Sequence, residues 1–169
     1  MDALGSSPIV VAFGLALAGL VAAIAFFDLR HLIIPDGFNL ALAGAGFAFQ
    51  YWKAAQPPLT AIGFAIVVAL LFLALRQVFM RLRGQAGLGL GDVKMAGASA
   101  LWFSPWNLAL YLLVTCVSAL IFVAFRHVGG SRHGLETKVP FGPFLGLGVF
   151  ATWVCENSGL PTFIPEGAV

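Results

Sequence analysis

The sequence predicts an all-α membrane protein, built as a polytopic bundle of about six transmembrane helices. Its 169 residues are 60% hydrophobic and only 9% charged, and the mean hydropathy is +0.98. Soluble domains carry roughly 25% charged residues, so a soluble fold of this composition would leave a large apolar surface in water. Lipid covers such a surface instead. The length suits one domain, and we expect residues 1–169 to form a single integral-membrane domain.

Six apolar segments are separated by polar or proline-containing stretches. The predicted spans are residues 8–27, 38–52, 59–80, 93–103, 106–125 and 141–154. Pro8 starts the first span, where proline is favoured, and Pro57-Pro58 prevents the second from continuing. A spanning helix needs roughly 17–25 mostly apolar residues. The second and fourth segments are shorter than that, so we expect them to be tilted or partly immersed.

The basic residues predict which side of the membrane each loop faces. With the N-terminus outside, six spans place nearly all of the nine Lys and Arg residues on or near the cytoplasmic face, as the positive-inside rule requires. They are Arg30, Arg76, Arg81, Arg83, Lys94, Arg126, Arg132 and Lys138, with Lys53 alone outside. An aromatic belt near the outer boundary is predicted for Trp52, Trp102, Trp106 and Trp153. We therefore expect an N-out, C-out protein of the inner membrane with lipid contacts. The dispersed basic residues form no patch for nucleic acid.

Two aspartates, Asp28 and Asp92, lie at the ends of apolar segments. Ionisable groups at membrane depth are costly and require an explanation. In the predicted topology both lie at the cytoplasmic edge of the bilayer, on different helices, where they could meet. Two adjacent carboxyl groups do not both ionise readily, so one keeps its proton near neutral pH. One can then act as general base on a water while the other acts as general acid toward a carbonyl, which is the chemistry of an aspartyl protease.

A purely structural role for the two aspartates stays open at this point. Each could cap a helix or pair with Arg30 or Lys94. Asp92, however, ends the string Gly87-Leu88-Gly89-Leu90-Gly91-Asp92, in which alternate glycines allow close backbone approach. A nucleotide-binding loop needs a preceding strand and a GxGxxG or Walker pattern, and neither is found here. A flexible loop does not require an aspartate at the start of a span.

Three segments resemble one family of proteases. Gly89-Leu90-Gly91-Asp92 resembles the GxGD motif of intramembrane aspartyl proteases, the class that holds presenilins and type IV prepilin peptidases. Asp28-Leu29-Arg30-His31-Leu32-Ile33-Ile34-Pro35-Asp36 is similar to the first catalytic region of the prepilin-peptidase branch. Pro140-Phe141-Gly142-Pro143 resembles that branch's segment at the start of the last helix. The resemblance covers the chain from about residue 27 to the sixth span.

The resemblance implies a role for each matching residue. Asp28 and Asp92 correspond to the catalytic pair of an aspartic endopeptidase. The substrate-binding part of the site corresponds to Gly89, Gly91 and Asp36, together with a wall formed by Pro140, Phe141, Gly142 and Pro143. No cofactor and no metal are expected, because the carboxyl groups activate water by themselves.

The resemblance also implies a substrate, a pilin-like precursor protein whose short basic leader precedes an apolar helix. The family cleaves such precursors at the cytoplasmic boundary, and we expect Asp36 or Glu136 to attract the leader. Long members carry two CxxC pairs and also N-methylate the new terminus. This chain has only the separated Cys116 and Cys155, so it resembles the short, peptidase-only form. Methyl transfer is not expected.

Two other functions are compatible with the residues. A metal-dependent lipid-head-group transferase could bind a hard divalent cation through Asp28, Asp36 and Asp92, although the sequence lacks several aspartates clustered on one helix. A small proton- or cation-coupled transporter, or an assembly scaffold, would use the aspartates as ion sites. Sensitivity to a chelator distinguishes the transferase from a protease. Asp→Asn changes that alter flux or assembly, but no peptide bond, would identify the transporter or scaffold.

Overall fold

The computed structural model describes residues 7–54, 56–84, 87–128 and 139–158, and every regular element in these ranges is helical. The helices are α1 Pro8–His31, α2 Asp36–Lys53, α3 Pro58–Arg83, α4 Leu90–Ser99, α5 Leu108–Val128 and α6 Gly142–Asn157. Two 3-10 turns, Ala100–Trp102 and Pro105–Asn107, connect α4 to α5. The predicted all-α class is confirmed. Three residues that carry predictions, Arg132, Glu136 and Lys138, lie outside the described residues.

Three of the described helical segments are long and apolar enough to cross a membrane, namely Pro8–His31, Pro58–Leu82 and Pro105–Arg126. Their outward sides expose large apolar side chains, with Leu15 70%, Leu59 83% and Leu120 67% exposed. Such a surface suits lipid and not water. The chain is therefore an all-α membrane bundle.

The other three helices are shorter. α2 has 18 residues and α6 has 16, whereas α4 has only 10. At about 1.5 Å per residue α4 is about 15 Å long, roughly half the thickness of the hydrocarbon core. The fourth predicted segment thus does not cross the membrane as one straight helix. The six-span count and the N-out, C-out orientation stay predictions.

The first helix ends, and the second begins, at different residues from those predicted. α1 continues beyond residue 27 and includes Asp28. It ends where Leu32 adopts a left-handed conformation (φ 53°) and donates its N–H to the Asp28 carbonyl oxygen at 2.9 Å. α2 begins at Asp36, directly after Pro35. The connection between α1 and α2 is therefore only residues 32–35. Hydropathy indicates which residues lie in lipid, whereas hydrogen bonding and proline determine where a helix ends.

α4 lies at the centre of the bundle, packed against α2, α3 and α6. After Ser99 the chain tightens into a 3-10 turn, and this turn directs Trp102 into the core. The indole N–H of Trp102 donates to the Leu42 carbonyl oxygen at 2.9 Å. Trp153 is buried as well. These two tryptophans therefore do not belong to the predicted lipid-facing belt, whereas Trp52 and Trp106 are exposed.

A buried ionic cluster holds the end of the bundle where α2 and α6 terminate. The side chain of Glu156 is only 4% exposed, and Lys53 Nζ lies 3.6 Å from its Oε1. Glu156 Oε2 accepts hydrogen bonds from the backbone N–H of Ser104 and from Asn107 Nδ2, both at 2.8 Å. A charge at this depth is tolerated only where it is paired. The cluster joins α2, α6 and the turn before α5, and it was not among the predictions from the sequence.

Candidate active site

Asp28 lies in the last turn of α1 and is buried. Its Oδ2 accepts a hydrogen bond from the backbone N–H of Gly142 at 2.7 Å. Gly142 is the first residue of α6, and N–H groups in the first turn of a helix have no partner within that helix. A Cβ atom at residue 142 would lie only 2.8 Å from Asp28 Oδ2. The contact therefore depends on glycine at this position.

Asp92 lies in the first turn of α4 and is also buried. Its Oδ2 accepts a hydrogen bond from the backbone N–H of Gly89 at 2.9 Å. Gly89 is the N-cap residue of α4, so the carboxyl group satisfies a free donor at the helix start. This is the capping interaction that the sequence left open for Asp92. A capping role and a chemical role are compatible, because the hydrogen bond uses one of the two carboxyl oxygens.

The ion pairs considered for the two aspartates are not formed among the described residues. The guanidinium group of Arg30 lies over the ring of Phe26, 4.5 Å from its centroid. Lys94 pairs instead with Asp36, and its Nζ donates to Oδ1 at 2.7 Å and to Oδ2 at 2.8 Å. Both partners are exposed, the Lys94 side chain by 53% and the Asp36 side chain by 74%. Such surface pairs contribute roughly 0–1 kcal/mol and exchange partners readily.

Asp28 and Asp92 line the same cavity, which has a volume of about 230 Å³ and is called here the aspartate cavity. Asp36 lines it too, so α1, α2 and α4 each contribute one carboxyl group. The remaining lining residues are Leu32, Ile33, Ile34, Gly89, Leu90 and Gly91. A water molecule occupies about 30 Å³ in the liquid, so the space is large enough for several water molecules. The two aspartates and the two glycines singled out from the sequence are thus brought together.

Two polar side chains that were not among the predicted site residues hold the segment before Asp92. Arg76, near the end of α3, donates from Nε to the Leu88 carbonyl oxygen at 2.9 Å. Asn39, on α2, donates from Nδ2 to the Gly91 carbonyl oxygen at 3.4 Å. The sequence signal for Arg76 was its charge within an apolar span. Asn39 gave no comparable signal, because one amide in an apolar segment has many ordinary explanations.

The Pro140–Pro143 segment contributes to the site through one residue. Gly142 contacts Asp28, whereas Pro140, Phe141 and Pro143 do not line the aspartate cavity. Phe141 is the N-cap residue of α6, and Pro143 lies in the first turn of that helix, a position that suits proline. The segment thus fixes where α6 begins and places the Gly142 N–H against Asp28.

Within the described residues, no group of three or more His, Cys, Asp or Glu side chains is arranged to hold a metal ion. Asp28, Asp36 and Asp92 line one cavity without forming such a group. Asp28 and Asp92 are oriented toward backbone N–H donors, and Asp36 is oriented toward Lys94. These contacts do not resemble the oxygen cage that a hard divalent cation requires.

Residues 15–124 match the type IV leader peptidase family. The chain belongs to this family. The matched residues of this chain include both Asp28 and Asp92 and end before the Pro140–Pro143 segment. The positions that form the aspartate cavity are therefore all inside the matched region.

Several curated relatives are similar to most of this leader peptidase family member. The prepilin leader peptidase/N-methyltransferase of Burkholderia pseudomallei (strain 1026b) is 31% identical over 147 residues, which cover 87% of this chain and 47% of the relative. The protein of the same name from Aeromonas salmonicida (strain A449) is 29% identical over 140 residues, or 83% and 47%. The type 4 prepilin-like proteins leader peptide-processing enzyme of Escherichia coli O78:H11 (strain H10407 / ETEC) is 32% identical over 138 residues, or 80% and 48%. The chain spans about half the length of the curated relatives it matches. No solved structure matches it.

Proposed function

We propose that this chain is an intramembrane aspartyl endopeptidase that removes the basic leader of type IV pilin-like precursors. The observation that carries the proposal is the meeting of Asp28 and Asp92 in one cavity, in a member of the leader peptidase family. The two aspartates are the catalytic residues, and residues 1–169 act as one membrane domain. The proposal is restricted to leader removal and includes no methyl transfer.

Cleavage takes place at the cytoplasmic face of the inner membrane in this proposal. Support comes from the basic residues at the helix ends nearest the aspartate cavity. Arg30 lies at the end of α1, Arg81 at the end of α3 and Lys94 at the start of α4. Lys53, by contrast, lies at the far end of α2. An excess of Lys and Arg on one side of a membrane protein is typical of the cytoplasmic side.

The chemistry follows from two carboxyl groups that share one proton. The ionised carboxylate takes a proton from water, and the water oxygen attacks the carbonyl carbon of the scissile peptide bond. The protonated carboxyl group gives its proton to the carbonyl oxygen, which yields a neutral tetrahedral intermediate. When the C–N bond breaks, the proton taken from water passes to the leaving amine. One hydroxyl of the intermediate returns a proton to the pair as the new carbonyl forms.

The hydrogen bonds at the site support these roles for the two carboxyl groups. Each catalytic carboxyl group is oriented through Oδ2, Asp28 by the N–H of Gly142 and Asp92 by the N–H of Gly89. We therefore assign the Oδ1 atoms to the water and to the scissile carbonyl. Gly89 and Gly91 carry no side chain at the cavity wall, which lets an extended peptide backbone approach. Asp36 lies at the cavity edge, where its carboxylate attracts the basic leader.

The test is a leader-removal assay with the purified protein in lipid and a pilin-like precursor from the same genome. Asp28→Asn and Asp92→Asn are each expected to lower kcat by about 100-fold or more, since general acid–base catalysis contributes about 10²–10⁴. Asp36→Asn is the matched control. It removes the third carboxylate of the same cavity and is expected to raise KM with kcat retained.

Cleavage is expected to persist in the presence of a chelator. Activity that both catalytic-site variants retain would contradict the aspartyl mechanism. Loss with chelator would support the transferase-type alternative, in which Asp28, Asp36 and Asp92 act through a divalent cation. An intact precursor with the wild-type protein, after several candidate precursors and verified membrane insertion, would contradict the peptidase assignment altogether.

A further inference from the structure

A second cavity, of about 560 Å³, runs along the side of the bundle between α2, α3 and α4 and is called here the lateral groove. Its lining is almost entirely apolar and rich in small residues. The lining includes Asp36, Asn39, Ala43, Ala65, Ala69, Lys94, Gly97 and Ala98. Gly97 and Ala98 are buried and form the floor, whereas Leu40 and Ile66 are exposed at the rims.

The spacing of the lining residues shows what shape the groove accepts. α3 contributes Ile62, Ala65, Ile66 and Ala69, and α4 with its following turn contributes Lys94, Gly97, Ala98 and Leu101. Both sets follow the i, i+3, i+4, i+7 pattern with which one helix faces another. α2 adds residues 36 to 43. Each wall is about 10 Å long, which corresponds to two helical turns. A Cβ atom at residue 97 would lie 3.0 Å from the Cβ atom of Ala69, so these small residues pack α3 on α4 and form the bottom of the groove. A further helix would lie above them, between α2 and α3.

The groove lies next to the aspartate cavity. Asp36 lines both spaces. Asn39 lines the groove and donates to the carbonyl oxygen of Gly91, which lines the aspartate cavity. One end of a helix in the groove would therefore lie beside Asp28 and Asp92. The helix would also pack next to Asn39, which donates to the Gly91 carbonyl oxygen.

The positions of the charged and apolar lining residues indicate which end of a bound helix lies near the aspartates. The end of the groove near the aspartates carries Asp36 and Lys94, whereas the remaining wall, apart from Asn39, is apolar as far as Leu101. A helix N-terminus and a basic segment are both attracted to a carboxylate. The Asp36–Lys94 pair is exposed on both sides, so a basic group can replace Lys94 at little cost. An apolar helix preceded by a basic leader matches this arrangement.

We propose that the lateral groove is the docking site for the apolar helix of the substrate itself. The helix lies parallel to α2 and α4, its first two turns pack against the small residues, and its leader passes Asp36 into the aspartate cavity. Small residues at such a contact allow close backbone approach, which stabilises helix pairs in membranes. The inference rests on the proposed peptidase function and adds the surface that selects precursors with a helix behind the cleavage site.

A matched pair of substitutions on α2 tests the groove. Ala43 lines it, whereas Ala41, two residues away, is exposed on a different face. Ala43→Phe is expected to raise KM for the full-length precursor by about tenfold without a loss of kcat, because it removes uniform binding. Ala41→Phe is expected to leave KM unchanged. A short soluble peptide that contains the leader and the scissile bond but no apolar helix should be cleaved equally by both variants and by the wild type.

The outcomes distinguish a failure of the docking proposal from a failure of the proposed function. Cleavage of neither substrate by the wild type contradicts the peptidase function. If the wild type is active and Ala43→Phe and Ala41→Phe change the kinetics for the precursor equally, the groove is not the docking site. Lipid then occupies the space. The same conclusion follows if Ala43→Phe impairs the short peptide as much as the precursor.

A cross-linking experiment keeps the inference testable if Ala43→Phe does not fold. Single cysteines replace Ala43 or Ala41 in a protein that carries Asp92→Asn, Cys116→Ala and Cys155→Ala. The precursor carries one cysteine in the second turn of its apolar helix. Preferential disulfide formation at residue 43 supports docking in the groove, and equal or preferential formation at residue 41 contradicts it.

Discussion

Replacing Gly142 by alanine tests the contact that positions Asp28. The new Cβ atom would lie 2.8 Å from Asp28 Oδ2 and 3.2 Å from both Cβ and Cγ of Asp28. An ordinary contact at a Cβ atom begins at 3.4 Å, so the carboxyl group must withdraw by roughly half an ångström. A misplacement of about 1 Å at a reacting group can cost about 10²-fold in rate. We therefore expect Gly142→Ala to lower kcat by about tenfold or more.

The assay is leader removal under single-turnover conditions, with thermal unfolding measured on the same samples. Overpacking in a core typically costs about 1–3 kcal/mol, so the kinetics must be measured well below the midpoint of unfolding. Alanine is a better helix former than glycine, and a kinetic defect cannot therefore be attributed to weaker helix formation in α6.

Two other glycines provide graded controls. In Gly146→Ala the Cβ atom would lie 2.5 Å from Val21 Cγ1, which overpacks α6 against α1 away from the aspartates. We expect lower stability and a smaller loss of kcat than in Gly142→Ala, because the crowded atoms belong to Val21 and not to Asp28. In Gly89→Ala the Cβ atom would lie 3.1 Å from Asp92 Oδ2, so the carboxyl group withdraws less than Asp28 does and the loss of kcat is smaller. A folded Gly142→Ala protein with wild-type kcat would refute the positioning role of Gly142.

Three further changes address charged contacts. Arg76→Met removes the donor that holds the loop before α4. It is expected to lower kcat by about tenfold or more, because a hydrogen bond to a charged group contributes about 1.5–3 kcal/mol and each 1.36 kcal/mol is about tenfold in rate; an Arg76→Met protein with wild-type single-turnover rates would contradict this. Lys94→Met frees Asp36 for the basic leader and should lower KM up to about fivefold, with less than about 1 kcal/mol change in the free energy of unfolding; unchanged KM would exclude competition between Lys94 and the leader. Glu156→Ala leaves the Ser104 N–H and Asn107 Nδ2 without their acceptor and leaves Lys53 with only the Asn157 Oδ1 acceptor. It should cost about 3–5 kcal/mol, measured by chemical unfolding, whereas Glu156→Gln, which keeps an acceptor, should cost less; equal losses would contradict this explanation.

The sequence predicted the features that depend on transfer into lipid. The low charge content required a membrane bundle, and the apolar runs located its long helices. Asp28 and Asp92 were expected at a common depth because each borders an apolar run, and the structure does bring them to one cavity. Depth is a one-dimensional property of the chain, so hydropathy reports it well.

The contacts across the bundle could not be predicted in this way. Hydropathy does not distinguish a tryptophan at the membrane boundary from one in the core, and Trp102 was assigned to the belt although its N–H donates to Leu42 inside the bundle. The pairing of Glu156 with Lys53 was likewise not predicted. Such contacts depend on which helix faces come together, and the sequence of one helix does not contain that information.

Glycine connects the two halves of the proposed active site. Both aspartate carboxyl groups are held by the N–H of a glycine at the start of a helix, Asp28 by Gly142 and Asp92 by Gly89. A side chain at either position would crowd the carboxyl group that the N–H must reach. The GxGD string and the segment around Gly142 therefore perform the same physical task, although they lie far apart in the sequence. This explains why both segments need glycine next to an aspartate, and why packing α6 onto α1 is part of assembling the site.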